Sequence, residues 1–186
     1  MSFLDKLMAK VMPPESEQDR REARQKAEAL AADNGWLAMA IEHHRQIEDA
    51  FERAHGGIDA AERQQAVKDL ALVLTGHSLA EEVVLYPALA EHGEKAHTSM
   101  AYEEQQMTKV QMHALEHLAP GSTEWLEKLE HIRGAVLHHI YEEENTWFVE
   151  LAEKAASERE VLTQRFAEEF ERYAGRKIAE PLSEPA

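Results

Sequence analysis

His77-Ser-Leu-Ala-Glu81-Glu82-Val-Val-Leu-Tyr86-Pro87 comes back 62 positions later, in weaker form, as His139-Ile-Tyr-Glu-Glu143-Glu144-Asn-Thr-Trp-Phe148. In each copy a His is followed four residues on by a Glu and then by a second Glu. An aromatic ring stands five residues after the first Glu. Residues four apart share one face of an α-helix, with Cβ atoms roughly 5–6 Å apart. An imidazole and a carboxylate so placed can ligate one metal ion or carry two neighbouring ions. Two such helices facing each other could hold a pair of metals, and the rest of the chain reads as the frame that brings them together.

That frame is helical. The 186 residues suffice for one domain with a sizeable core, 44% of them are hydrophobic and 30% charged, and β-branched runs are few. The first core helix, from Gly35 to His55, carries Trp36, Leu37, Ala40, Ile41, His44, Ile47 and Phe51 as an apolar stripe, and Gly56-Gly57 ends it. Asp59-Ala-Ala-Glu62 has the form of a capping box. The second core helix that it opens passes through Val67, Leu70, Leu74, His77 and Glu81 and should kink at Pro87. A third, over 94–118, offers Met100, Met107, Val110, Ala114 and Leu118 as its buried row. After Pro120-Gly121, Ser122 or Thr123 caps a fourth that runs through Trp125, Leu129, Ile132, Val136, His139, Glu143 and Leu151.

Short Gly/Pro turns make antiparallel neighbours, so the expected fold is all-α, an up-down-up-down four-helix bundle over 35–156. Additional helices flank it. The N-terminal extension, 1–34, holds a short amphipathic helix at 2–12 and a charged, Ala-rich edge helix at 15–32, with Asp33 or Asn34 able to cap the first core helix. In the C-terminal segment, 157–186, Ser157-Glu-Arg-Glu160 opens a helix that turns Leu162, Phe166 and Phe170 inward before a loose tail.

Charge and composition narrow the function. A formal charge of −16 opposes binding to nucleic acid or an anionic membrane surface. Without cysteine there are no disulfides, zinc–thiolate sites, iron–sulfur clusters or thiol catalysis. No apolar run reaches the ~20 residues of a membrane span. The first dozen residues make a poor signal peptide, so the expected location is cytoplasmic. Glycine-rich phosphate loops and Ser-His-Asp arrangements are also missing.

The duplication reaches further than the two quoted stretches. His44 precedes His77 by 33 residues, and 33 residues before His139 stands Gln106, with Gln105 beside it. Each half therefore reads His or Gln, then His-x-x-x-Glu. A dinuclear site in the bundle would take His44, His77 and His139 as nitrogen ligands and Glu81 and Glu143 as bridges. Carboxylates buried between apolar stripes are costly unless paired or metal-bound. Nitrogen and oxygen donors without thiolate suit iron, manganese or zinc.

Over about Trp36 to Ala155 these motifs resemble the hemerythrin family, specifically the bacterial hemerythrin-like HHE cation-binding domain. The resemblance implies a bundle around an oxo-bridged non-haem di-iron centre, another divalent metal being an alternative. The roles it implies are binding oxygen, sensing oxygen, nitric oxide or iron, and handling iron. It places ligands at His44 on the first helix, His77 and Glu81 on the second, and His139 and Glu143 on the fourth. Choosing His138 would put Trp147, not Phe148, at the aromatic position.

The third helix departs from the family pattern Glu-His-x-x-(Val or Thr)-Lys. Here it reads Glu104-Gln105-Gln106-Met107-Thr108-Lys109. The family motif points to Gln105 as the ligand, the internal repeat to Gln106, and Gln105 is preferred. Its carbonyl is a weaker ligand than imidazole, so two unequal metal positions are expected. One has His44, His77 and both carboxylates. The other has His139, the carboxylates and Gln105, water or a neighbouring acid, and binds weakly or exchangeably. Tyr86 and Phe148 are expected to pack against the site and exclude water.

Two other readings compete. A ferritin-like carboxylate di-iron oxidase needs Glu-x-x-His on two helices. Glu52-x-x-His55 and Glu94-x-x-His97 have that spacing but abut glycine turns, at the bundle ends. A metal-free bundle would instead be an interaction module, binding a partner protein or a second copy through its terminal helices. His43, His55, His92, His97, His113, His117 and His131 are expected at helix ends or the surface, His138 being the exception as a neighbour of the site or an alternative ligand. No proton-transfer pair stands out beyond the ligands, so binding or sensing a small diatomic molecule is expected rather than turnover.

Overall fold

The apolar stripes become the inner faces of core helices in the computed structural model, which describes residues 15–175. The helices are α1 (Glu17–Ala31), α2 (Gly35–Gly56), α3 (Ala60–Ala80), α4 (Tyr86–Glu91), α5 (Lys95–Glu116), α6 (Thr123–Glu142), α7 (Phe148–Lys154) and α8 (Arg159–Phe170). π-helical turns lie at Glu81–Leu85, Glu143–Trp147 and Glu171–Gly175. The first π turn joins α3 to α4 and the second joins α6 to α7. α2, α3–α4, α5 and α6–α7 thus make the expected all-helical bundle, closed by contact of α6 with α2. The short helix expected at 2–12 and the tail from Ile178 lie outside the described residues. No helix among the described residues is long and apolar enough to cross a membrane.

Capping agrees with the sequence in part. Asp59 accepts from the N–H groups of Ala61 and Glu62, while Glu62 reaches back to the Ile58 N–H, and Ser122 accepts from the Trp125 N–H. Two caps differ from expectation. Asn34 turns its amide to the Leu30 carbonyl, and the start of α2 is capped from another helix, by Thr163 Oγ1 on the Trp36 N–H at 3.0 Å. Ser157 makes no capping box: α8 begins at Arg159, with Glu158 as an N-cap that has no side-chain bond.

Other expectations are corrected by packing. On α5 the row Met100, Met107, Val110 and Ala114 faces solvent, and Leu118 is half-buried beyond its end. The inner face is instead Thr98, Ala101, Gln105, Met112 and Leu115. Ala101 belongs to the same cluster as Tyr86 and Trp147, so small side chains on α5 leave room for large rings opposite. Where a kink was expected at Pro87, the departure from α-helical hydrogen bonding lies just upstream, in the π turn at Glu81–Leu85, and a second such turn forms at Glu143–Trp147 without a proline. Pro87 sits in the first turn of α4, directly after that π turn, so the carbonyl its missing N–H would have met needs another donor.

The core is divided. One cluster gathers Trp36, Leu37, Ile41, Leu85, Leu89, Phe148, Leu151 and Phe166; the other gathers Ile47, Phe51, Leu70, Val73, Leu129, Ile132 and Val136. His44 falls between Ile41 and Ile47 on α2, and His77 between Val73 and Ala80 on α3. A polar layer is therefore enclosed by apolar packing above and below. The flanking helices cover its sides: α1 lies on α2 and the second π turn, and α8 on α2, α3 and the first π turn. The π turn that follows α8 approaches closely at Gly76, where an added Cβ would stand 2.8 Å from that of Ala174.

Candidate metal centre

The first two π turns each begin at a carboxylate of the repeated motif. The Tyr86 N–H donates to the Glu81 carbonyl and the Phe148 N–H to that of Glu143, both five residues back. On an α-helix, at about 100° per residue, a ring five positions on would point roughly 140° away from the glutamate. The wider turn swings the ring back toward its glutamate, as the Tyr86 hydroxyl 3.3 Å from Glu81 Oε2 shows, and π turns recur at functional sites. It also frees a carbonyl. Pro87 has no N–H for Glu82, and the Tyr102 hydroxyl takes its place on that carbonyl at 2.6 Å. In the second turn, Lys26 from α1 donates to the Asn145 carbonyl.

His44, His77, Glu81 and Glu143 are all buried, and one ligand atom from each lies within 4.8 Å of the others. His77 Nε2 stands 3.0 Å from Glu81 Oε1, and His44 Nε2 stands 3.2 Å from Glu143 Oε2 and 3.1 Å from His77 Nε2. Glu81 Oε1 and Glu143 Oε2 are buried with only these imidazole nitrogens beside them and no well-aligned hydrogen bond. Buried polar atoms are nearly always satisfied, and isolated carboxylates carry several kcal/mol of desolvation each. Two unpartnered oxygens converging with two imidazole nitrogens fit a cation, and the donor set suits iron, manganese or zinc.

The remaining expected residues form a second group on the other side of the same carboxylates. His139 Nε2 lies 3.2 Å from Glu143 Oε1, and Gln105 Nε2 donates to Glu81 Oε2 at 2.6 Å. Gln105 is buried and Gln106 is exposed. Between them stands the Tyr86 hydroxyl, 3.0 Å from Glu143 Oε1, 3.1 Å from His139 Nε2, 3.3 Å from Glu81 Oε2 and 2.7 Å from Gln105 Nε2.

Carboxylates behind the imidazoles set their tautomers. Glu144 Oε1 accepts from His44 Nδ1 at 2.7 Å, and Glu104 Oε2 from His139 Nδ1 at 2.7 Å. Both rings therefore present Nε2 inward, the arrangement usual behind metal-bound histidine. Arg24 of α1 in turn grips both oxygens of Glu144 at 2.7 Å and reaches Glu48. Burial alone would push the His44 pKa down, but Glu143 and Glu144 more than offset it and hold it up at about 9. Burial would raise Glu143, and the His139 and His44 rings pull it well below the usual carboxylate range. Glu81 is raised, by burial and by the neighbouring Glu143.

Several neighbours escaped the sequence. Glu144 sits in an acidic run that reads as solvated, yet it is 1% exposed. His43, expected at the surface, is buried: its ring stacks 3.7 Å from that of Phe170 and meets His77 edge-on at 5.6 Å. Burial, with His77 and His44 nearby, lowers its pKa to about 2, so it is neutral. Phe148 lies nearly parallel to His44 at 6.4 Å. Nothing in the sequence marks Arg24, which lies 120 residues from Glu144.

The other candidates stay apart. His138 is half-exposed and bonds Glu15, away from the centre. Glu52 and His55 are exposed. Glu94, His97 and Glu150 do come together, but at the half-exposed surface, where Lys154 already pairs with both glutamates.

Comparison with known proteins shows the family. Over 127 residues the chain is 27% identical to a protein named DNA nickase from Nostoc sp. (strain PCC 7120 / SAG 25.82 / UTEX 2576); the match covers 68% of this chain and 35% of that relative's length. No solved structure matches the chain. The family model for the hemerythrin HHE cation binding domain matches residues 26–151, which include all the residues of both groups. With that match covering most of its length, the chain belongs to the hemerythrin HHE cation-binding family.

Proposed function

We propose that this protein holds non-haem iron where His44, His77, Glu81 and Glu143 converge, and uses it to bind or sense a small diatomic molecule, oxygen or nitric oxide. The observation that carries the metal is the pair of buried, unpartnered oxygens Glu81 Oε1 and Glu143 Oε2 facing two imidazole nitrogens. Iron is preferred to manganese or zinc because the resemblance of the motifs to hemerythrin implies it; the matched family model is described as cation-binding. Bound there, iron would supply a reversible change of oxidation state and a coordination position for a small ligand.

The chain's own residues do the rest. His44 and His77 provide neutral nitrogens, and Glu81 and Glu143 provide charge that balances the cation. Glu144, gripped by Arg24, fixes the His44 ring and keeps its proton on Nδ1. Phe148, Trp36 and Phe166 are fully buried and keep bulk water from the layer. The nicking activity in the Nostoc relative's name finds no support in this chain's charge, since −16 repels phosphate backbones. Elemental analysis after purification in reducing, chelator-free buffer tests the proposal. Iron should be present in the wild-type protein and absent from His77→Ala; a wild-type protein that takes up no metal would refute it.

A further inference from the structure

Two metal positions are expected of a di-iron centre, and the residues treat them differently. At the first, donor atoms converge with nothing between them, and two carboxylate oxygens lack partners. At the second, the donors would be His139 Nε2, Glu81 Oε2, Glu143 Oε1 and a group from α5. Each of those atoms already faces the Tyr86 hydroxyl, at 3.1, 3.3 and 3.0 Å, and the α5 group, Gln105, donates to it at 2.7 Å. We infer that the Tyr86 phenol oxygen occupies the second metal position, so that the protein carries a single ion per chain.

Gln105 makes this arrangement self-consistent. Its partners are a carboxylate oxygen, which can only accept, and a phenol whose one proton is wanted by Glu143 or His139. The amide must therefore turn its NH2 inward. Gln105 Oε1, the only atom of that side chain able to ligate a metal, is left buried and without a partner. A His at this place could offer a lone pair to a cation; a Gln held in this way offers protons. The hydroxyl itself is placed by the π turn, which swings Tyr86 over Glu81, and by Tyr102, whose ring packs edge-on against Tyr86 at 5.1 Å. In the other copy the corresponding ring is Phe148, which has no oxygen to contribute, and there the metal position is open.

This inference rests on the proposed iron site, and one measurement separates the two. The full-length protein is loaded with ferrous iron under anaerobic conditions, freed of loosely held metal by desalting, and its iron counted per chain. The wild-type protein should hold one ion. A Tyr86→Phe, Gln105→His double variant removes the obstructing oxygen and restores an imidazole, and it should hold two. Helical circular dichroism establishes that the variant is folded. A wild-type count of two overturns the inference; if an absorption band from phenolate to ferric iron accompanies it, Tyr86 is a ligand instead. A folded double variant that stays at one ion also overturns it. A wild-type count of zero sinks the proposed iron function itself.

Discussion

The two copies of the His-x-x-x-Glu stretch share a backbone and differ in what that backbone encloses. Both enter a five-residue π turn at the metal-side glutamate, and both bury the aromatic ring that follows it, Tyr86 beside Glu81 and Phe148 stacked on His44. In each, the second glutamate takes a basic partner from a neighbouring helix: Lys109 for Glu82 and Arg24 for Glu144. The copies then part. Glu144 also backs the His44 imidazole, whereas α5 carries Gln105 where Glu82 would have found a ring to support. Duplicated main-chain geometry thus outlasts chemical equivalence: one half offers a cation an open set of donors, and the other fills its set with its own hydroxyl.

The sharpest way to break this contrast is to remove one imidazole from each half. His77→Ala should abolish iron binding, while His139→Ala should keep the ion held by His44, His77, Glu81 and Glu143; metal counts on both variants decide it. A second contrast concerns the rings. Phe148→Ala should destabilise the fold by about 3–5 kcal/mol, as for other large-to-small changes in a core. Tyr86→Phe, which keeps the ring and loses only a hydrogen-bonding oxygen, should cost about 1–3 kcal/mol; urea denaturation of the metal-free proteins measures both.

Behind the ligands the expected differences are smaller. Glu144→Ala should weaken iron binding by about 10–100-fold, since outer partners of ligating histidines have effects of that size. Glu82→Ala, which touches no imidazole, should leave affinity unchanged in a competition titration with a chelator. The gentlest test is pH. In the metal-free chain His44 keeps its proton up to about 9, so at neutral pH an arriving cation must displace it. Affinity should therefore rise with pH and level off above about 9, with proton release seen by calorimetry in buffers of different ionisation enthalpy.

Much of the fold and the site was legible from residue spacing. Apolar stripes located the inner faces of α2 and α6, and the family pattern singled out Gln105, which is the buried member of its pair. On α5 the reading failed because two rows have helical spacing, and the buried one is the less hydrophobic. Its phase is set by the large rings it must accommodate, which lie elsewhere in the chain. The π turns were invisible for a related reason. Counting at α-helical pitch puts the aromatic five residues on at the wrong angle, and only the altered hydrogen bonding brings it round. Glu144 and His43 were hidden by their neighbours: one sits in a run of acids, the other beside a second histidine, and both patterns look like surface.

The reach of Arg24 bears on how this protein should be handled. The stretch matched by the family model starts at residue 26, so a fragment trimmed to that boundary would begin two positions too late. It would leave Glu144 stripped of its guanidinium counterpart, with the tether behind His44 slackened. A poor metal yield from such a trimmed fragment would then report the missing helix rather than the character of the family.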